Sequence, residues 1–201
     1  MLKKVVNWVF LPVRLIFSHK TVNNLGLKSL RDERYDIVKQ NVKGRLLDIG
    51  CGNNGLVKDY GHDSVGVDVY DFGGGAIIVE DTSKLPFEDK SFDTASFVAC
   101  LNHIINREQV IEEVNRVLKD DGRVCMTMLT PKIGVLRHKL AWWDPDQNDR
   151  GIKEGEELGL SHKYILKLFD DAGFNLLKHK TFVLGLNNLY VFEKRHTQKV
   201  N

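Results

Sequence analysis

Sulfur is sparse in this 201-residue chain: three cysteines, Cys51, Cys100 and Cys125, an odd number without C-x-x-C spacing. A disulfide framework is thereby excluded. Each thiol falls in or beside an apolar run, which implies buried, reduced cysteines and a cytoplasmic setting. No apolar run reaches the ~20 residues that cross a bilayer. The apolar opening, residues 1–20, is interrupted by Asn7, Pro12 and Arg14, and it lacks the small-residue cleavage site of a signal peptide. The seven histidines show no metal-ligand spacing, so no metal is expected. No Ser/His/Asp order stands out, and there are no repeats or low-complexity segments. Net charge is only +2, which excludes little, and 42% hydrophobic residues suffice for one globular core.

The charge that is present is unevenly placed. Residues 1–45 hold ten Lys/Arg against three Asp/Glu, a net of +7, and the remainder carries −5. The N-terminal face is thus either drawn to something anionic or simply a solvated helix surface. Within residues 1–20, Leu2, Val5, Val6, Val9, Val13 and Ile16 follow helical spacing, and Pro12 should break any continuous helix. Three readings stay open for this segment. It is an interfacial membrane anchor with Trp8 and Phe10 at headgroup level, a lid over the site, or a helix packed on the core.

Further along, the pattern predicts a polar helix over 27–40, a strand over 45–49, a short helix over 55–60 and a second strand over 64–69. Gly73-Gly74-Gly75 follows almost at once, so the next crossover helix should be shortened or missing. A third strand is predicted at 76–79 and a fourth, apolar throughout as a doubly covered strand should be, at 92–101. Asn106 with Gln109 reads as a capping box for a helix carrying Val110, Ile111, Val114, Val117 and Leu118. Asp120-Asp121-Gly122 should turn the chain into a fifth strand, 123–129. Residues 131–160 read as an insertion, Ser161 starts an amphipathic helix, and 174–184 with 189–193 form a closing hairpin. The expected fold is α/β, a doubly wound Rossmann-like sheet, mostly parallel with an antiparallel last strand. Its organisation is a basic, apolar helical extension over 1–44, one domain over 45–195 and a polar tail over 196–201.

The most informative stretch is Leu46-Leu47-Asp48-Ile49-Gly50-Cys51-Gly52. A carboxylate ends a buried strand, and two glycines then let the backbone turn tightly and approach a ligand. The following helix directs its positive dipole end to the same place. An acid ahead of the glycines suits a ligand bearing positive charge and repels a pyrophosphate. With no G-x-G-x-x-G, a nicotinamide-binding reading is disfavoured. S-adenosylmethionine, with its ammonium, carboxylate and sulfonium, fits.

Together with GVD at 66–68, Asp81, LPFEDKSFD at 85–93, EEVNRVLKDDGRV at 112–124 and AGF at 172–174, this motif resembles the class I S-adenosylmethionine-dependent methyltransferases, in particular the small-molecule branch called methyltransferase type 11. The family's third glycine is replaced by Asn54, a residue tolerant of positive φ. The resemblance implies that Gly50, Cys51 and Gly52 approach the methionyl moiety while Asp48 favours its ammonium. It implies that Asp68 accepts both ribose hydroxyls, Val69 lies against the adenine, Asp81 accepts from the adenine amino group, and the Thr82 amide reaches a ring nitrogen. A carbonyl at Ala99 or Cys100 would meet the methionyl amine. Asp93, at the other end of the sheet, should fix a turn, and Leu85-Pro86-Phe87 should be a rigid apolar turn.

For catalysis, His103 stands just past the fourth strand and is the candidate general base, against a plainer role shaping the pocket. His138, His162 and Tyr164 are weaker candidates, and Trp142 and Trp143 with Asp144-Pro145-Asp146 are candidates to line an acceptor pocket. The expected acceptor is small or lipid-linked, saccharide-like or quinone-like. A nucleic-acid partner is not expected, because no Pro-Pro-Tyr type tetrapeptide follows the fourth strand. The rival reading is a non-catalytic S-adenosylmethionine-binding scaffold.

Overall fold

The structure, a computed structural model, describes residues 2–131, 157 and 159–195, with side chains from residue 5 onward. Seven strands form one sheet in the order β3-β2-β1-β4-β5-β7-β6. They are β1 (Leu46–Ile49), β2 (Val65–Asp68), β3 (Ile77–Ile78), β4 (Phe92–Val98), β5 (Leu118–Leu129), β6 (Phe174–Phe182) and β7 (Asn187–Lys194). The first five pair in parallel, while β7 runs antiparallel between β5 and β6. The expected doubly wound sheet with an antiparallel last strand is therefore present.

Buried apolar residues fill both faces. Leu47, Ile49, Phe97 and Met126 join the side covered by α6 (Arg107–Val117) and α7 (His162–Asp171). Leu46, Cys125, Leu189 and Val191 join the side covered by α4 (Leu30–Lys39) and α5 (Gly55–Tyr60). All four residues of β1 are buried, as a doubly covered strand requires.

Three local expectations are revised. Asn106 does sit at the N-cap of α6, but its side chain makes no cap hydrogen bond and instead donates to Asp81 Oδ1 at 3.1 Å. The side chain is turned so that its Nδ2 donates to the charged acceptor, which leaves Oδ1 out of the capping position. The fourth strand ends at Val98 because Ala99 takes a left-handed φ of 57°. The fifth strand starts at Leu118 rather than 123, and residues 119–122 bulge opposite Asp93 between the pairs Phe92–Leu118 and Thr94–Arg123. Lys119 Nζ bonds Asp93 Oδ1 at 2.8 Å, and Asp93 Oδ2 accepts from the Arg45 amide at 2.8 Å. Asp93 fixes the turn it was expected to fix.

No helix joins β2 to β3, which is only two residues long. The connection, residues 69–76, packs against the glycine loop instead. A Cβ on Gly74 would overlap the Asn53 carbonyl group, and Asn54 Nδ2 donates to the Gly75 carbonyl at 3.2 Å. Gly74→Ala should therefore destabilise the protein by about 1–3 kcal/mol of overpacking. A drop in Tm of about 2–4 °C per kcal/mol would register it in a thermal melt.

At the N-terminus, α1 (Leu2–Val9), α2 (Leu11–Ile16) and α3 (His19–Asn24) replace any single helix, with Pro12 in the first turn of α2. Arg14, which looked like a polar interruption, is a buried knot. It donates to the carbonyls of Lys28 (2.7 Å) and Asn7 (2.9 Å) and pairs with Glu33 at 2.5 Å. The charge is tolerated there because each side of the guanidinium finds an acceptor. The hairpin's outer strand β6 is exposed along most of its length, with a break in its register between Leu176 and Lys178.

Candidate functional site

The carboxyl ends of β1, β2 and β4 meet where the strand order reverses, the place at which open α/β sheets bind ligands. Chain reversal after β1 needs left-handed backbone at Gly50 (φ 66°), Gly52 (φ 55°) and Asn54 (φ 58°). The tolerance expected of Asn54 is thus used in full. A Cβ on Gly50 would lie 2.7 Å from the Cys100 Cβ, whereas one on Gly52 would meet nothing within 4 Å. The open side of Gly52 is a space into which a ligand can come against bare backbone.

Two acids flank that space. Asp48 is fully buried and accepts from Ser96 Oγ at 2.5 Å. Burial first, and Asp68 second, push its carboxyl from 3.8 up to about 7, with the Ser96 bond opposing. Asp68 is also buried; its Oδ2 accepts from the Gly52 amide (2.8 Å) and its Oδ1 from the Tyr70 amide (3.2 Å). It therefore clamps the glycine loop to the end of β2. Val69 and Tyr70 beyond it are exposed.

Asp81 lies past β3, its oxygens accepting from the Ser83 amide (2.8 Å), Ser83 Oγ (2.6 Å) and the Asn106 amide nitrogen. The Ser83 bonds above all hold its carboxyl below the usual range. Thr82 beside it is buried. At the end of β4, the Ala99 amide donates to the Thr127 carbonyl at 3.0 Å. Cys100 Sγ reaches the Ile49 carbonyl at 2.9 Å, joining the β4 exit to the glycine loop. His103 closes the 3-10 turn Leu101–His103 that follows, half-buried on the same sheet end. Burial raises the thiols of Cys51, Cys100 and Cys125, so all three stay protonated and none is disulfide-bonded.

Other candidates lie elsewhere or are engaged. His162 Nδ1 is 3.0 Å from the Tyr190 hydroxyl, and Tyr164 donates to Glu108 at 3.0 Å. Leu85-Pro86-Phe87 is a turn gripped by α6, with the Leu85 amide on Glu113 (2.7 Å) and Arg116 on the Phe87 carbonyl (2.9 Å). His138, Trp142, Trp143, Asp144, Pro145 and Asp146 lie outside the described residues. No group of three or more potential metal ligands occurs among the described residues.

One neighbour was missed from sequence. Tyr35, on α4, places its ring 3.0 Å from where a Gly55 Cβ would stand. Burial and then Asp48 raise its hydroxyl to about 12. The aromatic within a polar helix was its only signal.

Residues 47–126 match the family described as a methyltransferase domain. That segment is thus similar to methyltransferase domains, and the fold around it is that of S-adenosylmethionine-dependent methyltransferases. An uncharacterised protein of Methanocaldococcus jannaschii is 36% identical over 112 residues, covering 50% of this chain and 44% of that one. The demethylmenaquinone methyltransferase of Chlamydia pneumoniae is 25% identical over 182 residues, covering 75% and 79%. In fold, the chain superposes on an S-adenosylmethionine-dependent methyltransferase of Thermotoga maritima with a TM-score of 0.64 at 19% identity, over 82% of this chain and 89% of the other. The chain thus spans less than half the length of its archaeal relative.

The residues present fit S-adenosylmethionine. The buried carboxylates of Asp48 and Asp68 offer acceptors to a ligand's ammonium and hydroxyl groups, and the bare backbone at Gly52 admits it.

Proposed function

We propose that this methyltransferase moves a methyl group to a lipid-linked, quinone-like acceptor. The observation that carries the cofactor half is the pairing of buried Asp48 and Asp68 around the open face of Gly52. Asp48 would hold the methionyl ammonium, Asp68 the two ribose hydroxyls, and Gly50, Cys51 and Gly52 the methionyl chain. Val69, Asp81 and Thr82 would surround the adenine, and the Ala99 carbonyl would meet the methionyl amine. Support for the acceptor half comes from the Chlamydia relative, named for demethylmenaquinone.

Bound S-adenosylmethionine supplies an electrophilic methyl on a sulfonium, already a good leaving group. The chain's contribution is alignment of the acceptor and exclusion of water. Where the acceptor is a hydroxyl, His103 would accept its proton as the oxygen–carbon bond forms.

Incubation with methyl-labelled S-adenosylmethionine and detergent-dispersed demethylated naphthoquinols should put label in the organic extract, with S-adenosylhomocysteine formed in equal amount. His103→Ala should slow transfer about a hundredfold, the low end for a lost general base, without changing cofactor affinity. Label confined to water-soluble acceptors would refute the lipid-linked assignment.

A further inference from the structure

The N-terminal helices carry an apolar face that the other described residues leave exposed. Trp8 is 58% exposed, Val9 57%, Val5 53%, Phe17 48% and Phe10 45%. These side chains lie on α1, on α2's N-cap and just past α2, and they are not loosely attached. Arg14 ties α2 to α1 through the Asn7 carbonyl and to the first turn of α4 through Glu33, and the Lys28 amide donates to Asn7 Oδ1 at 3.1 Å. A rigid platform thus presents large apolar groups to solvent.

The direction of α4 locates that platform. Near its start, Arg34 Nε donates to Asn187 Oδ1 at 3.0 Å, and Asn187 pairs with Leu129, the last residue of β5. Past its end, the Lys43 amide donates to Thr94 Oγ1 near the start of β4, and the Asn41 carbonyl accepts from Arg123, which pairs with Thr94 just past the β5 bulge. So α4 runs from the carboxyl end of the sheet to the amino end. The helices before it therefore lie toward the end where Gly52, Asp68 and His103 gather.

Charge identifies what covers the face. The first 31 residues contain six Lys/Arg and no acid. Arg14, Lys28 and Arg31 are answered by Glu33, Asp36 and Asp32, but Lys20 is exposed with no ion pair recorded among the described residues, and Lys3 and Lys4 add to the excess. A second copy would bring the same positive charge against itself. Exposed aromatic and aliphatic side chains on a segment with an excess of Lys and Arg match an anionic bilayer surface. No described helix is long and apolar enough to cross a membrane, so contact is limited to the surface.

We propose that the exposed face of α1 and α2 docks on an anionic lipid bilayer and holds the sheet's carboxyl end toward the lipid, where a lipid-linked acceptor resides. The orientation toward an acceptor rests on the proposed function; the docking itself does not.

Co-sedimentation of the full chain with phosphatidylglycerol–phosphatidylcholine vesicles, and with phosphatidylcholine vesicles alone, tests it. The chain should pellet with the former, pellet weakly with the latter, and be released by high salt. Trp8→Ser combined with Val9→Ser should lower partitioning about tenfold or more, since two exposed apolar side chains no longer enter the interface. Lys20→Glu should weaken attachment to the anionic vesicles only. All three sites are exposed, so circular dichroism and S-adenosylmethionine affinity should match the parent, which separates failed docking from a failed methyltransferase reading. Undiminished pelleting of the double variant, equal pelleting on both vesicle types, or a dimer in sedimentation velocity that the double variant splits would overturn the proposal.

Discussion

Asp68→Ala should abolish tight S-adenosylmethionine binding while the sheet still folds. Two losses combine. Hydrogen bonds to a charged group contribute about 1.5–3 kcal/mol each. Removing the acceptor of a vicinal diol therefore costs about a hundredfold or more in Kd, with tenfold corresponding to about 1.4 kcal/mol. The Gly52 and Tyr70 amides also lose the carboxylate that holds them, so the glycine loop is no longer pinned to β2. Asp68→Asn retains one acceptor oxygen and should fall between the two. Calorimetric titration reads the affinity and circular dichroism the fold; parental affinity in the alanine variant would show that the ribose is held elsewhere.

Asp48 should make both stability and cofactor binding depend on pH, in opposite senses. Its folded carboxyl titrates near 7, raised from 3.8 chiefly by burial. Between those values the folded protein binds a proton that the unfolded chain has released, so this group's contribution to stability declines as pH rises and is gone above about 7. Asp48→Asn, which keeps an acceptor for Ser96 Oγ, should therefore stabilise the ligand-free protein at pH 8. The gain is on the order of a few kcal/mol and disappears below about pH 4. In the role proposed for Asp48, holding the methionyl ammonium, the ionised form is required. Binding at pH 7 should accordingly release about half a proton per site, measurable by calorimetry in buffers of different ionisation heat. The same substitution should weaken binding. A ligand-free stability difference independent of pH would mean Asp48 is ionised throughout.

The glycine loop and its two flanking acids were legible because they are compressed into short, local patterns. Asp48 through Gly52, the acid ending β2 and the tolerance of Asn54 for positive φ are each properties of a few consecutive residues, and each takes its expected place. The missing crossover helix was equally visible, since Gly73-Gly74-Gly75 leaves no room for one. What escaped prediction depends on partners far apart in the chain. Asn106 has the spacing of a capping residue, yet Asp81, 25 positions away, takes its side chain. Arg14 reads as an interruption until Glu33 and two carbonyls surround it. Tyr35 reaches the glycine loop only because α4 lies across β4 and β5, a placement set by tertiary packing.

The two flanks of the sheet have a bearing on colloidal behaviour. On one side β3 offers only two residues of unpaired backbone, too few to template another chain. On the other, β6 interrupts its ladder near Leu177 and turns Lys178 and Lys180 outward. The broken register and the lysines work against intermolecular zippering on this rim, and the exposed Leu176 and Leu177 beside the break are where it would begin in a crowded solution.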